Sequence, residues 1–293
     1  REAMDAQRVT DHSRAVTAPR PGHADLAGSK KYHFLDIRNV LERSSARETA
    51  ARTGAGSIVK QLLRALGVEI YSAVTAIGGI AAKPQALGAH IAQTVEGSPL
   101  RCADAQAASA MMAAIDRAMA EGDSLGGTFT VEVHGLPVGL GSYVHFDRRL
   151  DGLLAQSLMS IQGIKGVFIG DALAAAAGRG SKYHDELLYN EETGYYHGSN
   201  HGGGLEGGMS NGEQIVLHCA MKPIPTLAKP LRSVDILSKK PVTASVERSD
   251  TCAVPAAAVV GEVAVALVVG SEILRTVGGD SMEELIKRWQ SWQ

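Results

Sequence analysis

Apolar residues recur along the chain with two periods, one helical and one of two residues. Ala51, Ala55, Ile58, Leu62 and Leu66 fall on one helical face, and Gly67 stops the run. Ser45-Ala46-Arg47-Glu48 reads as a capping box that opens this helix. Ser45 would accept from the third amide and Glu48 would reach back to the cap amide. Arg43 and Arg47 would then stand astride the first turn. Residues 68–77 read as a strand ending at Gly78-Gly79. Residues 103–121 read as a helix with Ala108, Met111, Ile115, Ala118 and Met119 on one face, the methionines as core filler. Residues 128–134 alternate, with Phe129, Val131 and Val133 inward and His134 facing solvent. A helix over 151–161 turns Leu150, Leu153, Leu154, Leu158 and Ile161 inward. Strands over 164–169 and 214–221 follow, the second delivering Lys222. Residues 281–289 predict a short amphipathic helix with a second capping box, Ser281 and Glu284.

Residues 255–273 form the most hydrophobic run, long enough to cross a membrane. Glu262 in its middle, the dominance of Ala and the lack of a basic flank after it predict a buried helix instead, in which Glu262 needs a partner. Residues 1–31 read as loop. Residues 183–212, rich in Gly, Asn and His, read as a long functional or mobile loop without regular structure. His197 and His201 have the spacing of helical metal ligands. Gly198, Asn200 and the run of three glycines break a helix there, so no metal site is expected. Gly207-Gly208 reads either as turn punctuation or as backbone flat against a planar ring. Alternating helices and period-two strands predict an α+β fold with antiparallel sheets.

The length, 293 residues, suits one large domain or two medium ones. Only 4% of residues are aromatic, so the core must be aliphatic and rich in Ala and Gly. A net charge of −2 argues against a nucleic-acid partner, leaving cations to act in short motifs. The three cysteines lack metal-type spacing and suit a reducing, cytoplasmic location. The first 25 residues hold no apolar signal segment, and no membrane partner is expected.

A helix start flanked by arginines attracts a dianion such as phosphate, although an ordinary capped helix with solvated arginines has the same pattern. Arg20, Arg47, Arg248, His23 and Asp250, with glycine-lined turns, fit a multiply anionic substrate beside a planar cofactor. Asp250 near Arg248 would stay ionised and relay a proton. No nucleophilic triad spacing, dinucleotide fingerprint or phosphate loop is present. Glu42-Arg43-Ser44 and Glu247-Arg248-Ser249 each precede a small-residue helix. They suggest a degenerate internal repeat that sets two arginine-bearing turns around one pocket.

The string Arg43-Ser44-Ser45-Ala46-Arg47-Glu48-Thr49 resembles the central signature of chorismate synthases. Pro19-Arg20-Pro21-Gly22-His23-Ala24-Asp25 resembles that family's histidine motif. Gly207-Gly208-Met209-Ser210-Asn211-Gly212, Lys222-Pro223 and Arg248-Ser249-Asp250-Thr251-Cys252-Ala253-Val254-Pro255 resemble its later signatures, in the family's order. The resemblance implies elimination of phosphate from 5-enolpyruvylshikimate 3-phosphate to give chorismate, in the shikimate pathway. It implies reduced FMN (FMNH2) as cofactor without net redox change, and helices packed between antiparallel sheets in a layered β-α-β sandwich. It also implies one such domain over residues 1–293, assembled as a homotetramer.

Carried over residue by residue, flavin contacts fall on Arg43, Ser44, Ser45, Gln162, Gly163, Gly207, Lys222, Pro223, Ile224, Pro225, Thr226 and Arg248. Substrate contacts fall on Arg20, Arg47 and Arg248. His23 would act on the flavin, and Asp250 would assist proton transfer near its N5. The family's first signature, Gly-Glu-Ser-His-Gly, is absent, and the chain starts at Arg1. The expectation is an N-terminally truncated sequence that lacks the histidine thought to protonate the departing phosphate. Gly163 and Ala172-Leu173 also depart from the usual pattern. Two other readings stand beside the first. One is a non-catalytic chain that folds and binds FMN. The other is a flavin-reductase-like protein that consumes NADPH without releasing phosphate.

Overall fold

The computed structural model describes residues 15–292. Helices α1 (Asp25–Tyr32), α2 (Arg38–Ser44) and α3 (Glu48–Ala65) come first. Strands β1 (Glu69–Ile77) and β2 (Ile80–Ala81), helices α4 (Ala89–Gly97) and α5 (Ala105–Glu121), and strands β3 (Gly127–His134) and β4 (Val138–Gly141) follow. Next are α6 (Leu150–Met159), β5 (Ile164–Ile169) and the short helices α7 (Ala172–Ala177) and α8 (Gly180–Tyr183). Strands β6 (Leu187–Asn190), β7 (Gly194–His197), β8 (Leu205–Glu206), β9 (Met209–Asn211) and β10 (Ile215–Met221) come after them. The chain continues through β11 (Arg232–Val234), β12 (Pro241–Thr243), α9 (Val254–Thr276) and α10 (Met282–Trp292). The fold is α+β, with antiparallel sheets packed by helices.

Two compact units form. The larger comprises Thr49–Met112, Gly126–Lys222 and the residues from Val254 onward. Its five-stranded antiparallel sheet has the order β2-β1-β3-β10-β5. Helix α9 crosses β1 and β3. It is buried almost throughout, as its composition predicted, and Glu262 at its centre is 6% exposed. With so few aromatics, close backbone approach supplies the packing. A Cβ at Gly56 of α3 would lie 2.4 Å from Val263 Cβ of α9, and one at Gly270 of α9 would lie 2.4 Å from Val59 Cγ1 of α3. One at Gly261 would lie 2.8 Å from the Phe129 ring.

Several expectations need correcting. Helix α3 starts at Glu48, not behind a Ser45 cap; Ser45 is extended and follows α2, so Arg43 lies in the last turn of α2. The buried stripe of α3 runs through Gly56, Leu63 and then Leu66, whereas Ile58 is 70% exposed. The face is rotated by one residue because α9 needs Gly56 against it. On α5, Met111 is buried and Met119 is exposed. Both faces of β3 are covered, since Thr130 and Glu132 are buried as well. His134 is half-buried, with Nε2 3.1 Å from Glu132 Oε2. The segment 183–212 holds the β6–β7 hairpin and the strands β8 and β9, which join β4 in a three-stranded sheet. The α10 cap is reciprocal, with one shift. The Glu284 amide donates to Ser281 Oγ at 3.2 Å, and the Glu284 carboxylate accepts from the Asp280 amide at 3.1 Å.

The smaller unit comprises the described residues up to Glu48, Ala113–Leu125 and Pro223–Ala253. Of the predicted loop over 1–31, residues 1–14 lie outside the described residues, and from Asp25 the chain is helical. The segment 16–20 is stitched to the β11–β12 region. The Ile236 amide donates to Thr17 O at 2.9 Å, Ser245 Oγ to Ala18 O at 2.8 Å and Ser233 Oγ to Pro19 O at 2.5 Å. Helices α1 and α2 close on each other where Gly28 meets Val40; a Cβ at Gly28 would lie 2.5 Å from Val40 Cγ1. The two arginine-bearing stretches of the suggested repeat differ locally: Arg43 is helical and Arg248 lies in irregular chain.

Candidate functional site

The smaller unit places an imidazole in a fixed electrostatic frame. Pro19 and Arg20 are buried, and the chain turns through Gly22 at φ +80° into α1. Asp25, the first residue of α1, is 1% exposed and sits where the helix amides favour an acid. It accepts from the Arg20 amide at 3.0 Å and from Arg20 Nε at 2.9 Å through Oδ2. Its Oδ1 lies 2.6 Å from His23 Nδ1 and 3.1 Å from Arg20 Nη2. Burial by itself would raise the Asp25 pKa. Hydrogen bonds from His23 and Arg20 outweigh it and hold the carboxyl well below the usual carboxylate range.

That fixes the tautomer. A carboxylate held ionised cannot donate, so the proton of the short contact sits on His23 Nδ1 and Asp25 accepts it. Arg20 Nη2, 3.1 Å from the same nitrogen, is a neighbour and not a donor to it. Nε2 of His23 is left for chemistry. Arg20 Nη1 donates to Thr226 Oγ1 at 2.7 Å, so one guanidinium joins two predicted motifs that lie far apart in sequence.

Arg20 was expected on the substrate. It is 7% exposed and its donors are taken by Asp25 and Thr226. Asp25 was not among the expected site residues; the sequence signal for it is an acid two residues after His23. His23 makes no hydrogen bond or ion pair with Arg47 or Asp250, and no ion pair joins Arg248 to Asp250 among the described residues. Arg43, Arg47, Arg248 and Asp250 are exposed. Ser44 Oγ is buried with no hydrogen-bond partner. Pro223, Ile224, Pro225 and Thr226 follow β10, and Ser124 Oγ donates to Ile224 O at 2.6 Å.

In the larger unit, Gln162 and Gly163 lie between α6 and β5. Gly163 has φ +86°, and the Lys222 amide donates to its carbonyl at 2.9 Å, which joins these two motif positions. A side chain at 163 would be strained and would meet Met221 Cε at 2.9 Å, which accounts for glycine there. Burial first, then the nearby Lys165, lowers the pKa of Lys222. Gly207 has φ +56° and open space where a Cβ would stand. Asn211, the last residue of β9, is 8% exposed with Nδ2 lacking an acceptor. His197 lies 3.5 Å from Glu206 Oε1, and His201 Nδ1 lies 2.7 Å from Asp171 Oδ2.

A family model described as chorismate synthase matches residues 4–274. A chorismate synthase of Alkaliphilus metalliredigens is 53% identical over 289 residues, covering 99% of this chain and 76% of that protein. One from Moorella thermoacetica is 53% identical over 281 residues, covering 96% of this chain and 73% of that protein. A crystal structure of chorismate synthase matches with a TM-score of 0.80 at 41% identity, covering 92% of this chain and 75% of that one. With its motifs in order and these likenesses over nearly all its length, the chain belongs to the chorismate synthase family.

Proposed function

We propose that this protein converts 5-enolpyruvylshikimate 3-phosphate to chorismate by eliminating phosphate, with reduced FMN as its cofactor. The observation that carries the reading is the Arg20–Thr226 hydrogen bond, which ties the histidine motif to the segment after β10 and holds His23 through Asp25. The residues present fit a flavin. Within the larger unit, Asn211 Nδ2 is a buried polar atom without a partner and the open backbone at Gly207 suits a flat ring; within the smaller unit, Ser44 Oγ is likewise buried without a partner. Arg43, Ser44, Ser45, Gln162, Gly163, Gly207, Lys222, Pro223, Ile224, Pro225, Thr226 and Arg248 would hold it. When bound, reduced FMN supplies electron density to the breaking bond and is recovered reduced.

The chain's own groups do the rest. Asp25 accepts from Nδ1–H of His23, so Nε2 exchanges a proton with the site, as a positioned general acid or base. Arg20 holds that pair through Asp25 and Thr226. Arg47 and Arg248 supply exposed guanidiniums for the substrate's carboxylates and phosphate. Asp250 offers an exposed carboxylate for the proton leaving carbon. Cationic donors set before charge develops on the departing phosphate are electrostatic preorganisation. The homotetramer and the cytoplasmic location are carried over with the family reading.

Flavin titration followed by product analysis tests this. The protein should bind reduced FMN and then release phosphate on addition of substrate. Binding without release would support the non-catalytic reading, and NADPH loss without release the reductase reading.

A further inference from the structure

The larger unit contains a cavity of about 230 Å³, lined from α3, β1, α4 and α9. None of the residues assigned above to flavin, substrate or proton transfer lines it. One wall is apolar: Ile70, Leu87, Ile91 and Val95. The other is charged, with Lys60, Arg64 and Arg101 against Glu96 and Glu262. Those five charges leave one positive charge in excess.

Arg101 organises the charged wall. Its backbone is left-handed at φ +54°, which a residue with a side chain adopts only when its surroundings enforce it. Nη1 donates to Glu96 Oε1 at 2.7 Å and Nη2 to Glu262 Oε1 at 2.8 Å. Nε is buried and has no acceptor. Glu262 accepts from Arg101 Nη2, Ser72 Oγ and Lys60 Nζ. Arg64, exposed at the rim, has no carboxylate partner among the described residues. Arg101, paired with Glu96 and Glu262, and the exposed Arg64 thus line one small space with an aliphatic wall.

We infer that this cavity is a binding site for a compact organic monoanion, a carboxylate on a small apolar body. One excess positive charge matches one negative charge. The volume is below that of pockets for drug-sized ligands. The apolar wall favours a hydrocarbon body over a bare inorganic anion.

The probe is 4-fluorobenzoate, followed by fluorine NMR line broadening on the full chain. Saturable broadening is expected with the wild-type protein. Arg64→Gln, an exposed change, should weaken it by about tenfold or more, as for a lost charge-assisted contact. Ala92→Trp should abolish it by filling the cavity, with circular dichroism checking that the variant folds. Benzoate should displace the probe and acetate should not. The inference is overturned by any of four results: no saturable broadening up to about 10 mM probe, Arg64→Gln as tight as wild type, equal displacement by acetate, or displacement by FMN.

Discussion

His23 Nδ1 lies 2.6 Å from Asp25 Oδ1, and the carboxylate is 1% exposed. Asp25 therefore positions the imidazole without being open to substrate. His23→Ala should lower the rate of phosphate release by about 10²–10⁴ with little change in KM, the usual worth of a general acid or base. Asp25→Asn should lower kcat and also alter its pH profile, because an amide no longer enforces Nδ1–H. Steady-state rates between about pH 5 and 8, the range in which imidazoles change charge, check both. An unchanged pH profile for Asp25→Asn would reduce Asp25 to a structural role.

The same carboxylate makes stability acid-sensitive in a defined window. Its folded pKa is depressed below the ordinary 3.8. Its contribution is therefore complete above that value and is lost as pH falls below about 4 toward the folded pKa. The difference in Tm between wild type and Asp25→Asn should be constant near neutrality and shrink below about pH 4. Thermal melts across that range read it directly.

Alanine at two glycines of α3 should have opposite effects. At Gly54 nothing lies within 4 Å of the added carbon, so Gly54→Ala should stabilise by about 0.5–1 kcal/mol through helix propensity. At Gly56 the carbon would meet Val263 Cβ at 2.4 Å and its carbonyl oxygen at 2.8 Å. Gly56→Ala should cost about 1–3 kcal/mol. Urea unfolding of both variants provides the comparison.

Glu262 is shared by Lys60, Arg101 and Ser72 inside the larger unit. Glu262→Ala strands its cations and should cost about 3–5 kcal/mol. Lys60→Met leaves the carboxylate paired with Arg101 and should cost clearly less in the same unfolding assay. Equal losses would contradict a shared acceptor.

The thiols should differ in reactivity. Burial pushes Cys219 up to about 12 and also raises Cys102, while Cys252 is half-buried. A thiol reagent at about pH 8, near the ordinary cysteine pKa, should modify Cys252 first. The other two should react only on denaturation. Mass spectrometry of the labelled peptides identifies the site.

Strands over 69–77, 164–169 and 215–221, and the buried helix with its needy Glu262, were legible because apolar periodicity and one misplaced charge are local signals. The buried face of α3 was not. Small residues surround that helix, and its orientation is set by Val263 on α9, some 200 positions away. The break at residues 45–47 hid behind a good capping pattern. The β6–β7 hairpin hid among turn formers because each strand has only four residues. At the site, motif likeness marked His23, whereas the burial of Arg20 depends on Thr226 from a distant segment.

The most direct measurement is anaerobic single turnover of the 293-residue chain with 5-enolpyruvylshikimate 3-phosphate and reduced FMN, scoring phosphate and chorismate together. The chorismate synthase reading predicts equal amounts of both, none with oxidised FMN, and flavin recovered reduced. Bound reduced flavin with neither product formed would contradict it.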